Sequence, residues 1–104
     1  MHVKGSASDY IVIACATAKT GKEAELEQAL RAVAGPTRAQ PGCIAFHLLW
    51  PAGIRSTVIG FERWASEADH AKHMEGAHFQ VLAQRLAEIL AEPPSIVAYE
   101  VLDA

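Results

Sequence analysis

The sequence predicts an α+β fold of the ferredoxin-like type, with elements in the order β-α-β-β-α-β. Three observations predict it. Four short runs rich in β-branched and aromatic residues punctuate the chain, at Tyr10–Thr17, Cys43–Trp50, Ser56–Trp64 and Ile96–Leu102. The middle two are separated by only Pro51 to Arg55, short enough for a hairpin. The stretches before and after that hairpin carry apolar residues at helical spacing. One four-stranded antiparallel sheet, with the first and third strands central and both helical segments on one face, satisfies this order.

The first strand, YIVIACAT, is apolar on both sides: Tyr10, Val12, Ala14 and Ala16 alternate with Ile11, Ile13 and Cys15. Thr20-Gly-Lys-Glu23 then reads as a capping box, in which the Thr20 hydroxyl accepts from the Glu23 amide and Glu23 reaches back. Leu26, Leu30, Val33 and Thr37 follow at helical spacing, and Gly35-Pro36 is expected to end or kink that helix. Gln40-Pro41-Gly42 reads as a turn. In the second strand Ile44, Phe46, Leu48 and Trp50 share one face, and Ala45, His47 and Leu49 the other. Gly60 in the third strand marks either a bulge or a close approach to the backbone. Ser66-Glu-Ala-Asp69 caps the next helix in a box-like way, with Asp in place of the usual Glu. Gly76 interrupts it. From His78 to Glu92, Phe79, Leu82, Ala83, Leu86 and Leu90 form an apolar stripe that Pro93-Pro94 stops.

Composition narrows the class. A chain of 104 residues, 51% hydrophobic and 20% charged, accommodates one globular domain. We assign residues 1–8 to a flexible leader and 9–104 to that domain. The formal net charge of −3, with both signs interspersed, argues against a nucleic-acid groove or a membrane-surface patch. The first residues, MHVKGSASD, contain no apolar signal region, and no apolar run reaches the roughly 20 residues of a membrane span. A cytoplasmic location is therefore expected, with Cys15 and Cys43 reduced and packed.

An apolar strand on both sides must be covered on both. The helices cover one face, and nothing else in the chain covers the other. A second copy of the same sheet does so at least cost, so a homodimer through the sheet face is expected.

The chemistry is expected between sheet and helices. Three of the five histidines, a tryptophan and a carboxylate fall between Phe61 and Phe79, FERWASEADHAKHMEGAHF. Trp64 is expected in a cavity wall, its indole N–H free to donate. Glu62 shares its face and either meets a pocket group or forms a structural ion pair. Phe46, Phe79 and Met74 are expected to line a substrate pocket. His78 has a catalytic or a structural reading. His47 enters either the pocket or the dimer interface, and His70 is expected to be mostly solvent exposed. The spacing His70-x2-His73-x4-His78 is incomplete as a metal set. Gly76 breaks the helix before the third histidine and no cysteine or paired carboxylate completes the set, so no metal is expected. Phosphate loops, a G-x-S-x-G nucleophile and flavin or nicotinamide fingerprints are absent, so no cofactor is expected.

TGKEAEL, QPGCIAFHL and FERWASEADHAKHMEGAHF, in that order and spacing, resemble the antibiotic biosynthesis monooxygenase domain family over Asp9 to Leu102. The resemblance implies a dimeric α+β barrel. It implies a substrate class of quinols or aromatic polyketide phenols, oxidised by O2 without a cofactor. The family also includes haem-degrading members, isomerases of small metabolites, and members with no assigned activity. His73 falls where the family carries its helix histidine and is the first candidate for a base, a role that suits an imidazole. The haem-degrading members use an asparagine in the first strand and a histidine soon after the phenylalanine of the last helix. Here the first strand has no asparagine and Leu82 occupies the second position, so haem degradation is not expected. The alternatives are a small-metabolite isomerase and a non-catalytic binding or stress-response module of the same fold.

Overall fold

A computed structural model describes residues 9–103, and the leader assigned to residues 1–8 lies outside them. The elements are β1 (Tyr10–Thr17), α1 (Glu23–Arg38), β2 (Cys43–Leu49), β3 (Thr57–Trp64), α2 (Glu67–Glu75), α3 (Ala77–Ile89) and β4 (Ser95–Glu100). The sheet is antiparallel with order β2-β3-β1-β4, so β1 and β3 are central as the pattern requires. Directly paired residues share a face. Ala14 pairs with Gly60 and Val12 with Glu62, and these face the helices. Ile13 pairs with Phe61 and Val97, and Cys15 with Ile59, on the opposite, open face.

The core lies between the covered face and α1 and α3. Leu26 and Val12 are completely buried, and Leu26 clusters with Ala29, Val33, Leu82 and Ile89. Burying each large aliphatic side chain contributes about 1.5–3 kcal/mol. Of the expected stripe on α3, Leu82 and Leu86 are buried. Ala83 is exposed, and Ile89, absent from that stripe, is buried in its place. The end of α3 is tied to the end of β1: Lys19 N–H donates to the Ile89 carbonyl at 2.8 Å and Ala91 N–H to the Thr17 carbonyl at 2.9 Å.

Three local expectations are corrected. Thr20 does not cap α1. Gly21 adopts φ 88°, a turn conformation that delays the helix to Glu23 and leaves Lys22 at the N-cap without a side-chain bond. Glu23 still reaches back, but to the Gly21 amide, at 3.0 Å. Pro36 does not end α1, which runs on to Arg38. So near the terminus its missing N–H forfeits a single ladder bond, and completely buried Thr37 anchors the last turn. Gly60 lies in regular ladder, paired with Ala14 and Leu48. The sheet's irregularity is instead in β2 between Cys43 and Ala45, where the register shifts. That shift takes Ile44, 46% exposed, out of the row that Phe46 and Leu48 continue.

Candidate active site

The α2–α3 junction sets the site. Ser66 caps α2 as expected: its hydroxyl oxygen accepts from the Asp69 amide at 3.1 Å and its hydroxyl donates to the Asp69 carboxylate at 2.9 Å. Seven residues on, the helix turns His73 inward, 3% exposed. Gly76 then adopts extended backbone, ending α2 and starting α3. A methyl group there would meet the His73 carbonyl at 3.3 Å, with Gln40 and His78 at 3.6 Å, so glycine lets the two helices meet closely.

His73 is surrounded by rings. Its centroid lies 5.0 Å from Trp64, 5.2 Å from Phe79, 5.6 Å from His78 and 6.0 Å from His70. Nδ1 is 2.7 Å from the Gln40 side-chain oxygen. With that oxygen as acceptor, Nδ1 carries the proton and Nε2 is left as an acceptor. Burial, reinforced by the His70 and His78 imidazoles, lowers the His73 pKa to about 4. The ring is therefore neutral at physiological pH.

The second polar group is Glu62. It is 7% exposed, and one carboxylate oxygen accepts from the Trp64 indole N–H at 2.9 Å. His70 Nε2 is 3.9 Å from the same oxygen. Burial raises the Glu62 pKa, and the indole hydrogen bond opposes this in part. Burial also lowers His70. His70 is packed near Tyr10 and Trp64, with centroids 5.6 and 5.9 Å away, which corrects the expectation that it is solvated.

His73, Glu62, Phe46 and Phe79 line one cavity of about 80 Å3, whose other walls are mostly aliphatic. Trp64 is completely buried, behind Glu62 rather than in the wall. His78 is half-buried with Nε2 3.3 Å from the Thr37 hydroxyl, and does not line the cavity. Met74 does not line it either; its carbonyl accepts from Gln80 at 2.8 Å. His47 pairs with Phe61 on the open face of the sheet, away from the cavity. Among the described residues no group of three His, Cys, Asp or Glu side chains is placed to hold a metal ion. No helix among them is long and apolar enough to cross a membrane. Gln40 and Thr37 escaped sequence reasoning because a turn and a helix stripe already accounted for them.

Fold and site together define a ferredoxin-like domain that holds a neutral histidine and a buried carboxylate over an apolar cavity. The chain belongs to the antibiotic biosynthesis monooxygenase family, whose model matches residues 9–93. It is 29% identical over 82 residues to YcnE of Bacillus subtilis strain 168, provisionally named a monooxygenase, covering 79% of this chain and 86% of that protein. It is 24% identical over 101 residues to the uncharacterized protein sll1783 of Synechocystis, covering 97% of this chain and 69% of that one. The solved structure of Rv0793 from Mycobacterium tuberculosis superposes with a TM-score of 0.88 at 27% identity, over 93% of this chain and 98% of that one. PA3566 from Pseudomonas aeruginosa gives a TM-score of 0.87 at 26% identity, over 95% and 100%.

Proposed function

We propose that the protein is a cofactor-independent monooxygenase acting on a quinol or an aromatic polyketide-type phenol. The observation that carries this reading is the pairing of a neutral, oriented His73 with a buried Glu62 in one apolar cavity. A phenol hydroxyl donates to His73 Nε2, which fixes the ring. Full transfer of its proton to an imidazole of pKa about 4 is steeply uphill. From a phenol near pKa 10 it costs about 8 kcal/mol, at 1.36 kcal/mol per unit. Glu62 is pushed in the opposite direction by the same burial, which narrows its gap to the phenol. We therefore assign orientation to His73, which accepts from this hydroxyl, and proton acceptance to Glu62, which takes the proton of a second ring hydroxyl. The phenolate passes one electron to O2, and the semiquinone and superoxide radicals combine at a ring carbon. One oxygen atom stays on the ring, and the other leaves as water with two substrate hydrogens. The substrate supplies all the electrons, so the balance needs no external reductant.

The family context and the open apolar sheet face support a homodimer with two sheets face to face, and the composition supports a cytoplasmic location.

Oxygen consumption by the metal-stripped protein against a panel of hydroquinones and anthrone-type phenols tests the reading. Uptake is expected above the autoxidation blank and is expected to fall about 100-fold or more in Glu62→Gln. His73→Ala is expected to raise KM as well as lower kcat. Uptake at the blank level across the panel would reject the oxygenase and favour the isomerase or binding-module readings.

A further inference from the structure

The cavity beneath His73 has a larger neighbour. Between the outer turns of α3 and Pro93-Pro94 lies a cleft of about 460 Å3. Ala83, Ala87 and Ala91 recur along it every four residues, so this side presents little but methyl groups. Among the described residues, Glu92 is its one charged wall residue. Phe79, Leu86 and Pro94 line both the cleft and the inner cavity. Phe79 is half-buried, and its ring is 5.2 Å from that of His73. Among the described residues no strand covers this flank: β4 is exposed along its whole length, and Ile96, which lines the inner cavity, is 44% exposed.

Neither space suffices as a ligand site. The inner cavity holds the polar chemistry, but at about 80 Å3 it is smaller than the roughly 150 Å3 known to take up benzene. The outer cleft falls within the roughly 300–1,000 Å3 of ligand pockets but has almost no polar wall. We propose that the two are one binding site divided by Phe79, and that its ligand is a phenol bearing an apolar alkyl or isoprenyl tail. The hydroxylated ring takes the end at His73 and Glu62, and the tail lies in the alanine-walled cleft beside α3. This rests on the reading that a ring hydroxyl meets His73. A half-buried aromatic side chain changes rotamer without moving the backbone, so Phe79 can open the inner space to a ring. An apolar tail matches the cleft because a sugar or phosphate extension would lose its hydration there and find almost no polar partners.

Isothermal titration of phenol, 4-butylphenol and 4-octylphenol tests the proposal, with wild-type protein and with two variants that fill the cleft, Ala83→Arg and Ala87→Trp. Both alanines are exposed, so the variants are expected to fold, which circular dichroism checks. In wild type the dissociation constant is expected to fall about two- to fourfold per added methylene up to butyl. Both variants should bind phenol as wild type does and lose at least tenfold of the octyl gain. No gain from the tail in wild type, or the same gain in both variants, overturns the proposal. Oxygen uptake on the same protein separates it from the parent reading. A tail gain that the variants abolish, without turnover of any hydroquinone, rejects the oxygenase and leaves the two-part site. Turnover without a tail gain does the reverse.

Discussion

The two faces of the sheet come from the same alternating strands and have opposite characters. On the covered side, the polar groups are wholly or half buried and partnered: Glu62 with Trp64, His73 with Gln40, His78 with Thr37. On the open face Ile13, Ile59 and Phe61 form an apolar centre flanked by Leu49, Val97 and Tyr99, each of these at least 43% exposed. The Asp9–Arg63 ion pair, 2.7 Å long, stands at one end of it. The covered face is packed by α1 and α3 over β1 and β3, leaves β4 exposed, and has room for chemistry. The open face has packing capacity and, beyond His47 and the Asp9–Arg63 pair, is largely apolar, a profile that fits the proposed interface.

The largest effect is expected on the open side. In the proposed homodimer, Ile13→Asp would bury an unpaired carboxylate between two sheets and cost about 3–5 kcal/mol. Analytical ultracentrifugation with thermal melting checks it. A folded monomer that melts like the parent would break the comparison, because the open face would then need no cover.

Next comes the acid stability of the covered side. His73 titrates near 4 when folded and at the ordinary 6.5 when unfolded. Between those values the unfolded chain binds the proton and the folded one does not, so stability is complete above about 6.5 and is lost as pH falls toward 4. The loss is up to about 3 kcal/mol. Lowered His70 acts in the same direction. Raised Glu62 acts against them: its share is full below 4.5 and is lost as pH rises through its folded pKa. Urea melts from pH 7 to 4 should therefore slope steeply for wild type and much less for His73→Leu. Equal slopes would mean that the imidazole is not held neutral by the fold.

A smaller effect is expected at Gln40. Gln40→Ala removes the acceptor of His73 Nδ1–H and should cost about 1–3 kcal/mol. Nitrogen NMR of the ring should show the single tautomer give way to a mixture. An unchanged tautomer would move the orienting role elsewhere. The smallest effect is at Ser66. Ser66→Ala loses the cap of α2 and should lower stability by about 1 kcal/mol, read as a shift in the urea midpoint.

The residues reveal the fold more fully than the site. The apolar β-branched run of β1, the alternation in β3 and the stripe of α1 extend over whole elements, so single exceptions do not blur them. The exceptions are local: a positive φ at Gly21, one extra residue at Cys43–Ala45, a proline late enough in α1 to be tolerated. The site depends on such local detail. His73 was singled out by the family resemblance, and Glu62 by sharing the Trp64 face of β3; the structure buries both beside one cavity. Gln40 was not, since a glutamine before Pro-Gly is ordinary turn chemistry, and its partner lies 33 positions along the chain. His70 was misjudged because helical spacing alone does not reveal that Tyr10 and Trp64 close over that side of α2.

Gly42 has φ 86°, and a side chain there would collide with that of Asp69, while its carbonyl accepts from the Ala65 amide at 2.8 Å. The 40–42 turn is thus clamped to the start of α2, the helix whose histidine Gln40 holds. For a protein engineer, residues 40–42 and 65–73 are one cassette. Grafted together they should carry the histidine's orientation into a related scaffold, and grafted apart they should lose it.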